Sequence, residues 1–116
     1  MRTTNKLYLR GYVGHEPKLF DKVCKVSIGT NRNWTDKKGK VHDETDWVQV
    51  TILNDKVAKW VSENVKKGDP VFCEARVRQN TYKKGDETIY ITDVIATLFD
   101  SLKHKASDEA ADEAGE

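Results

Sequence analysis

The 116-residue chain has little of what most enzymes and membrane proteins need. No apolar run approaches the roughly 20 residues of a membrane-spanning helix, and the opening MRTTNKLYLRGYVG has neither the apolar stretch nor the cleavage site of a secretory signal. A cytoplasmic protein is therefore expected, with no membrane partner. The two cysteines, Cys24 and Cys73, are far apart and lack CxxC spacing; both fall in alternating apolar segments and read as reduced core thiols. The three histidines, His15, His42 and His104, lie in expected loops or near the end, without the spacing of a metal site. The three KKG triplets, at Lys37, Lys66 and Lys83, lack the GxxxxGK frame of a phosphate cradle and read as basic turns. Asp43, Glu44 and Asp46 form the one acidic cluster before the terminal segment, with nothing apolar nearby to raise a carboxylate pKa. No catalytic residue, metal site or cofactor is expected, and no enzyme.

Low net charge, by contrast, is only apparent. The last eleven residues, ASDEAADEAGE, hold five of the 19 acids and none of the 20 bases, so residues 1–105 carry 20 bases against 14 acids, a net +6. A basic body precedes an acidic segment that is too polar to pack and is expected to be disordered. The division predicted is one domain over 1–104 and an acidic tail over 105–116, since the chain is long enough for one core.

Within the body the dominant period is two. Leu7, Leu9, Gly11 and Val13 alternate with Tyr8, Arg10 and Tyr12; Gly14 and Pro17 then end the strand. Cys24, Val26 and Ile28 face inward on a second strand that continues toward Trp34, and Val48, Val50 and Ile52 face inward on a third, leaving Trp47, Gln49, Thr51 and Leu53 outward. Asp36 to Asp46 reads as a long hairpin loop around Gly39. In DKVAKWVSENVKK the period changes to that of a helix, with Val57, Val61 and Val65 inward, Ala58 and Trp60 flanking them in a structural role, Asn54 or Asp55 as cap, and an end at Lys66–Gly68. VFCEARVRQ alternates again, with Arg76 and Arg78 outward; TYKKGDET reads as a second basic loop, and IYITDVIATLF as a last strand bent near Asp93.

Three strands, a helix and two strands predict an all-β fold: a five-stranded OB-type barrel with one α-helix between the third and fourth strands and a disordered acidic C-terminal tail. An SH3-like barrel or a small sandwich shares the strand lengths. On the outward positions, aromatic and basic residues interleave, and that combination suits single-stranded nucleic acid, whose unpaired bases need flat apolar surfaces and whose phosphates need cations. Trp34 and Trp47 stand at the roots of the loop bearing Lys37, Lys38 and Lys40. Tyr82 stands at the root of the loop bearing Lys83 and Lys84, and Arg76 and Arg78 lie between in sequence. Tyr8, Arg10 and Tyr12 form an outward face suited to a subunit partner or to DNA. Trp47 alternatively packs as a lid on the core, the commoner role of a tryptophan at a strand end.

These residues resemble the bacterial single-stranded DNA-binding proteins. NKLYLRGYVGHEPKL is similar to that family's first strand and Gly-x-x-Gly-x-x-Pro turn, and VSIGTNRNW, TDWVQVTI and KKGDPVFCEARVR follow as its later landmarks in order and spacing, from about Asn5 to Leu102. The resemblance implies an OB-fold subunit of a homotetramer, alternatively a dimer, that coats single-stranded DNA with little sequence preference in replication, recombination and repair, in the bacterial cytoplasm or that of a phage host. It implies base stacking on Trp34, Trp47 and Tyr82, and a stacking position lost at Leu53, where the family often has phenylalanine. Val48 stands where well-studied members have an assembly-linked histidine. The tail keeps the family's acidity without its hydrophobic tip, so recruitment of replication or repair proteins through that tip does not carry over. The competing reading is an OB-fold adaptor of the replication-restart type, binding proteins first and DNA weakly.

Overall fold

The computed structural model describes residues 1–103; the acidic tail expected over 105–116, and His104, lie outside them. Among the described residues there are six strands and one helix: β1 (Leu7–Val13), β2 (Lys18–Phe20), β3 (Val23–Thr35), β4 (Val41–Ile52), α1 (Asp55–Asn64), β5 (Pro70–Lys84) and β6 (Glu87–Ser101). The five long strands close in the order β1-β5-β6-β4-β3 and back to β1. Closure at one side is the short pairing of β1 with β3, Tyr12 opposite Gly29 and Val13 opposite Ile28. At the other it is a single parallel contact between Thr51 of β4 and Ile95 of β6. This is the barrel that the element order predicts, with α1 between its third and fourth long strands.

The period-two pattern does the sorting. Leu9, Val13, Cys24, Val26, Ile28, Val50, Ile52, Val71, Cys73 and Ala75 are buried together, and Ala58, Val61 and Val65 from the helical segment close the end of the barrel over them. Burial pushes the Cys73 thiol up to about 11, helped by the charge of Glu74, and pushes Cys24 up as well, so both stay protonated and pack as apolar groups. Asn54 caps α1, its side-chain oxygen accepting from the backbone N–H groups of Lys56 and Val57 at 3.1 Å each.

Four expectations need correction. Asp36–Asp46 is not one loop: β4 starts at Val41, so only Asp36–Lys40 lies between the strands, and His42 sits within β4. TYKKGDET is likewise mostly paired, since β5 runs to Lys84 and β6 begins at Glu87. Both basic loops are therefore tips of long two-stranded ribbons, held by the ladder rather than by burial. The helix ends earlier than predicted: Val65 is extended, and its buried side chain caps the core from outside the helix. Trp60 lies on the flank of the valine stripe, as its spacing predicts, and is 42% exposed there. The irregularity in β6 lies opposite Glu74/Ala75, where Glu74 pairs with Leu98 and Ala75 with Ala96, leaving Thr97 unpaired, rather than at Asp93. The strand β2 has three exposed residues and no apolar period, and sequence reasoning passes over it.

The β1–β5 ladder continues past Leu7 through a side chain. Asn5 Nδ2 donates to the Val77 carbonyl at 2.6 Å while the Val77 N–H donates to Asn5 Oδ1 at 2.9 Å, so the amide imitates one more backbone pair. Asn5→Ala leaves both Val77 groups to water and should lower stability by about 1 kcal/mol, read as a reduced urea midpoint with unchanged slope.

Candidate nucleic-acid interface

Trp47 lies on the outer face of the barrel, opposite Gly29 on β3, and is 59% exposed. The register explains the seat of its ring. A Cβ added to Gly29 would stand 2.5 Å from Trp47 Cζ3, and one added to Gly14 would collide with the same atom. The underside of the indole thus rests on two backbones from which side chains are missing, and the upper face meets solvent. An indole held flat in this way is preorganised for a second flat group, because little rotamer freedom is left to lose on stacking.

Trp34 is placed differently. It pairs with His42, five ladder rows beyond the Gly29–Trp47 pair and therefore on the opposite face of the ribbon; the separation along the strand is about 17 Å at the usual rise. Its ring stacks on His42 at a centroid distance of 4.9 Å and an interplanar angle of 16°. The Arg32 guanidinium lies 4.7 Å from the ring centroid. Trp34 is 37% exposed. Arg32 is itself held by Glu44 at 3.0 Å and Asp46 at 3.2 Å. The hydrogen bond and charge of Asp46 raise its pKa further, so it remains a cation throughout. Both ion pairs are about half exposed, a setting in which a phosphate competes readily with carboxylates. The acidic cluster before Trp47 is thus largely the counter-charge of Arg32, apart from Asp43.

The ribbon tip is organised by Asp36. Its Oδ1 accepts from the backbone N–H groups of Lys38 and Lys40, each at 2.9 Å, and its Oδ2 lies 3.0 Å from His42 Nε2. These bonds, the one to His42 foremost, hold the Asp36 carboxyl below the ordinary aspartate range. Lys37, Lys38 and Lys40, all exposed, stand on the turn that these bonds hold. Because the folded value is depressed, the order that this carboxylate brings is complete above the ordinary aspartate pKa of about 3.9 and is lost as pH falls through the depressed value. The Lys38 and Lys40 amide resonances should therefore move in that acidic window, and Asp36→Ala should abolish the transition.

On the second ribbon, Arg76, Arg78, Tyr82 and Lys84 alternate with Val77 and Lys83, so the two arginines, the tyrosine and Lys84 share the outward face. Tyr82 is half exposed opposite Ile89, and Tyr90, more exposed still, stands on the other face opposite Thr81. Arg78 is 3.7 Å from Asp93. Tyr8, Arg10 and Tyr12 are exposed on β1, where Phe72 of β5 joins them: Tyr8 stacks on it at 6.4 Å and Arg10 sits 5.7 Å above its ring.

The expected residues thus fall into four groups: Trp47 on the barrel wall, Trp34 with the Lys37–Lys40 tip on the first ribbon, Arg76, Arg78, Tyr82, Lys83 and Lys84 on the second, and Tyr8, Arg10 and Tyr12 on β1. Sequence reasoning missed Arg32, His42 and the glycine seat. The first two were within reach, since a residue two positions before Trp34 and its cross-strand partner share its face once the hairpin register is known. Among the described residues no group of three or more acids, histidines or cysteines is arranged to hold a metal ion, and no helix is long and apolar enough to cross a membrane.

A profile of the single-strand binding protein family matches residues 4–102. Curated relatives include the single-stranded DNA-binding proteins of Neisseria meningitidis serogroups A and B, each 30% identical over 87 residues, covering 71% of this chain and 49% of the relative. The chain therefore spans about half the length of those relatives. Among solved structures, the Plasmodium falciparum SSB complex with ssDNA superposes with a TM-score of 0.74 at 25% identity, over 88% of this chain and 96% of that one. The small single-stranded DNA-binding protein of Streptomyces coelicolor gives 0.61 at 19% identity over 85% and 95%, a likeness of fold alone.

Proposed function

The chain belongs to the single-strand binding protein family, and from that premise we propose that residues 1–104 form a non-enzymatic domain that binds single-stranded DNA with little sequence preference. The observation that carries this reading is Trp47, an indole seated on Gly14 and Gly29 with its upper face open. It stands at the root of a ribbon whose tip carries Lys37, Lys38 and Lys40. Bases stack on Trp47, Trp34 and Tyr82, while Lys37, Lys38, Lys40, Arg76, Arg78, Lys83 and Lys84 neutralise phosphates. Stacking tolerates any sequence because every base has a π face, and it favours single strands because bases in a duplex are already stacked. Arg32 joins the cationic set, exchanging Glu44 and Asp46 for a phosphate. Coating DNA in replication, recombination and repair within the cytoplasm is the role that fits.

The half-exposed aromatic face of Tyr8, Arg10, Tyr12 and Phe72 supports assembly through β1, as a homotetramer or alternatively a dimer, which sedimentation velocity measures. The same face supports the second reading, an adaptor that docks a protein there and binds DNA weakly. Tryptophan fluorescence titrated with oligo-dT, a matched duplex and RNA at two salt concentrations separates the two. Strong quenching by oligo-dT that weakens with salt supports the DNA binder, and its absence favours the adaptor.

A further inference from the structure

We propose that the single strand continues from Trp47 into a neighbouring cleft, where Phe20 is a further stacking platform and Lys18 and Lys25 hold the adjoining phosphates. The proposal rests on the reading of the chain as a single-strand binder. It starts from continuity of one sheet face. Below the Gly29–Trp47 row come Ser27 opposite Gln49 and then Lys25 opposite Thr51, and β2 adds Lys18 opposite Lys25 and Phe20 opposite Val23. Ser27, Gln49, Lys25, Lys18 and Phe20 line one cleft of about 450 Å³, together with His15 and Glu16, which follow the Gly14 seat of the Trp47 ring. The floor of the cleft therefore begins where the Trp47 platform ends.

Phe20 has no part in the core: it lies on a strand of three exposed residues and is itself 54% exposed. The Lys25 ammonium lies over its ring at 5.9 Å from the centroid, so a cation and a half-exposed aromatic ring stand together, the pairing that Trp34 and Arg32 also show. Two lysines face one acid here, and that acid, Glu16, accepts from the Lys67 backbone N–H at 3.4 Å. A flat apolar group joined to a polyanion is the occupant that this chemistry selects, and continuity with Trp47 makes it the same strand. Phe20 lies six ladder rows from the Trp47 row, about 20 Å along β3, so only a sufficiently long oligonucleotide reaches both.

The test is oligo-dT of increasing length, from about 4 to about 16 nucleotides, the range of site sizes for one OB fold, titrated against wild type, Phe20→Ala and Phe20→Tyr. The expected result is equal affinity of wild type and Phe20→Ala for the shortest strands and a loss of about fivefold or more for the longest, restored by Phe20→Tyr, with the melting temperature unchanged. Lys18→Gln and Lys25→Gln should each lower the slope of log K against log salt by about 0.7 on long strands only. Equal affinity of wild type and Phe20→Ala at every length, a loss that is the same at every length, or unchanged salt slopes would each overturn the subsite and leave the binding function standing. Failure of the wild type to bind any oligo-dT removes the function, and the subsite with it.

Discussion

Trp47→Ala should weaken binding to oligo-dT by about 1–3 kcal/mol, roughly 5- to 150-fold at fixed salt, while the melting temperature moves little. The asymmetry follows from where the ring sits. Its underside covers two glycine backbones on the outer wall, and the core beneath the sheet is filled by Ile28, Val50 and Val26 whatever stands at position 47. Truncation therefore uncovers backbone that water can solvate, without opening a cavity. A loss of stability as large as the loss of affinity would instead show Trp47 to be a lid on the core. Trp34→Ala should cost less, because its ring already stacks on His42 and carries Arg32; a base arriving there replaces contacts rather than adding them. Isothermal titration on the two variants and the wild type measures both differences directly.

That ranking reverses the symmetry of the sequence NRNWTDKKGKVHDETDW, in which the two tryptophans look like equal brackets around a loop. Trp47 could be read correctly because it follows the alternating Val48, Val50 and Ile52, so apolar contrast fixes its face. Trp34 could not, because beyond Gly29 the strand leaves the barrel. Thr30, Asn31, Arg32 and Asn33 are polar on both faces, so hydropathy stops reporting the pleat although the pleat continues. The same loss of contrast hid the paired state of Val41–Asp46 and of Thr81–Lys84, which is fixed by ladder hydrogen bonds and not by burial. β2 escaped notice for the opposite reason, its two apolar residues being exposed. Core and fold were legible, then, where one face is buried, and the ribbons that carry much of the site were not.

Gly11→Ala should destabilise the barrel wall, with an effect on DNA binding as a consequence. β1 turns from β5 to β3 at this point, pairing Gly11 with Val71 and Tyr12 with both Pro70 and Gly29. A Cβ at position 11 would overlap the carbonyl oxygen of Gly29, stand 3.0 Å from its carbonyl carbon and 3.2 Å from Ile28 Cγ2. The first two are backbone, so no rotamer change relieves them; β1 and β3 must separate, and the barrel closes at this side through the two pairs next to the clash and the hydrogen bond from the Gly14 N–H to the Ser27 carbonyl. Overpacking of this kind costs about 1–3 kcal/mol and occasionally more. For a domain of this size each kcal/mol lowers the melting temperature by roughly 4–8 °C, so a drop of about 10 °C or more is expected at the upper end. Because Gly29 also seats Trp47, displacing β3 tilts the indole, and Gly11→Ala should change Trp47 fluorescence and weaken oligo-dT binding even at temperatures where the protein remains folded. Gly39→Ala is the control: nothing lies within 4 Å of its added Cβ, but its φ of +84° strains any side chain, so it should cost about 1 kcal/mol and leave Trp47 undisturbed. A Gly11→Ala protein that melts with the wild type and binds oligo-dT as tightly would mean that β1 and β3 do not approach as closely as their pairing requires.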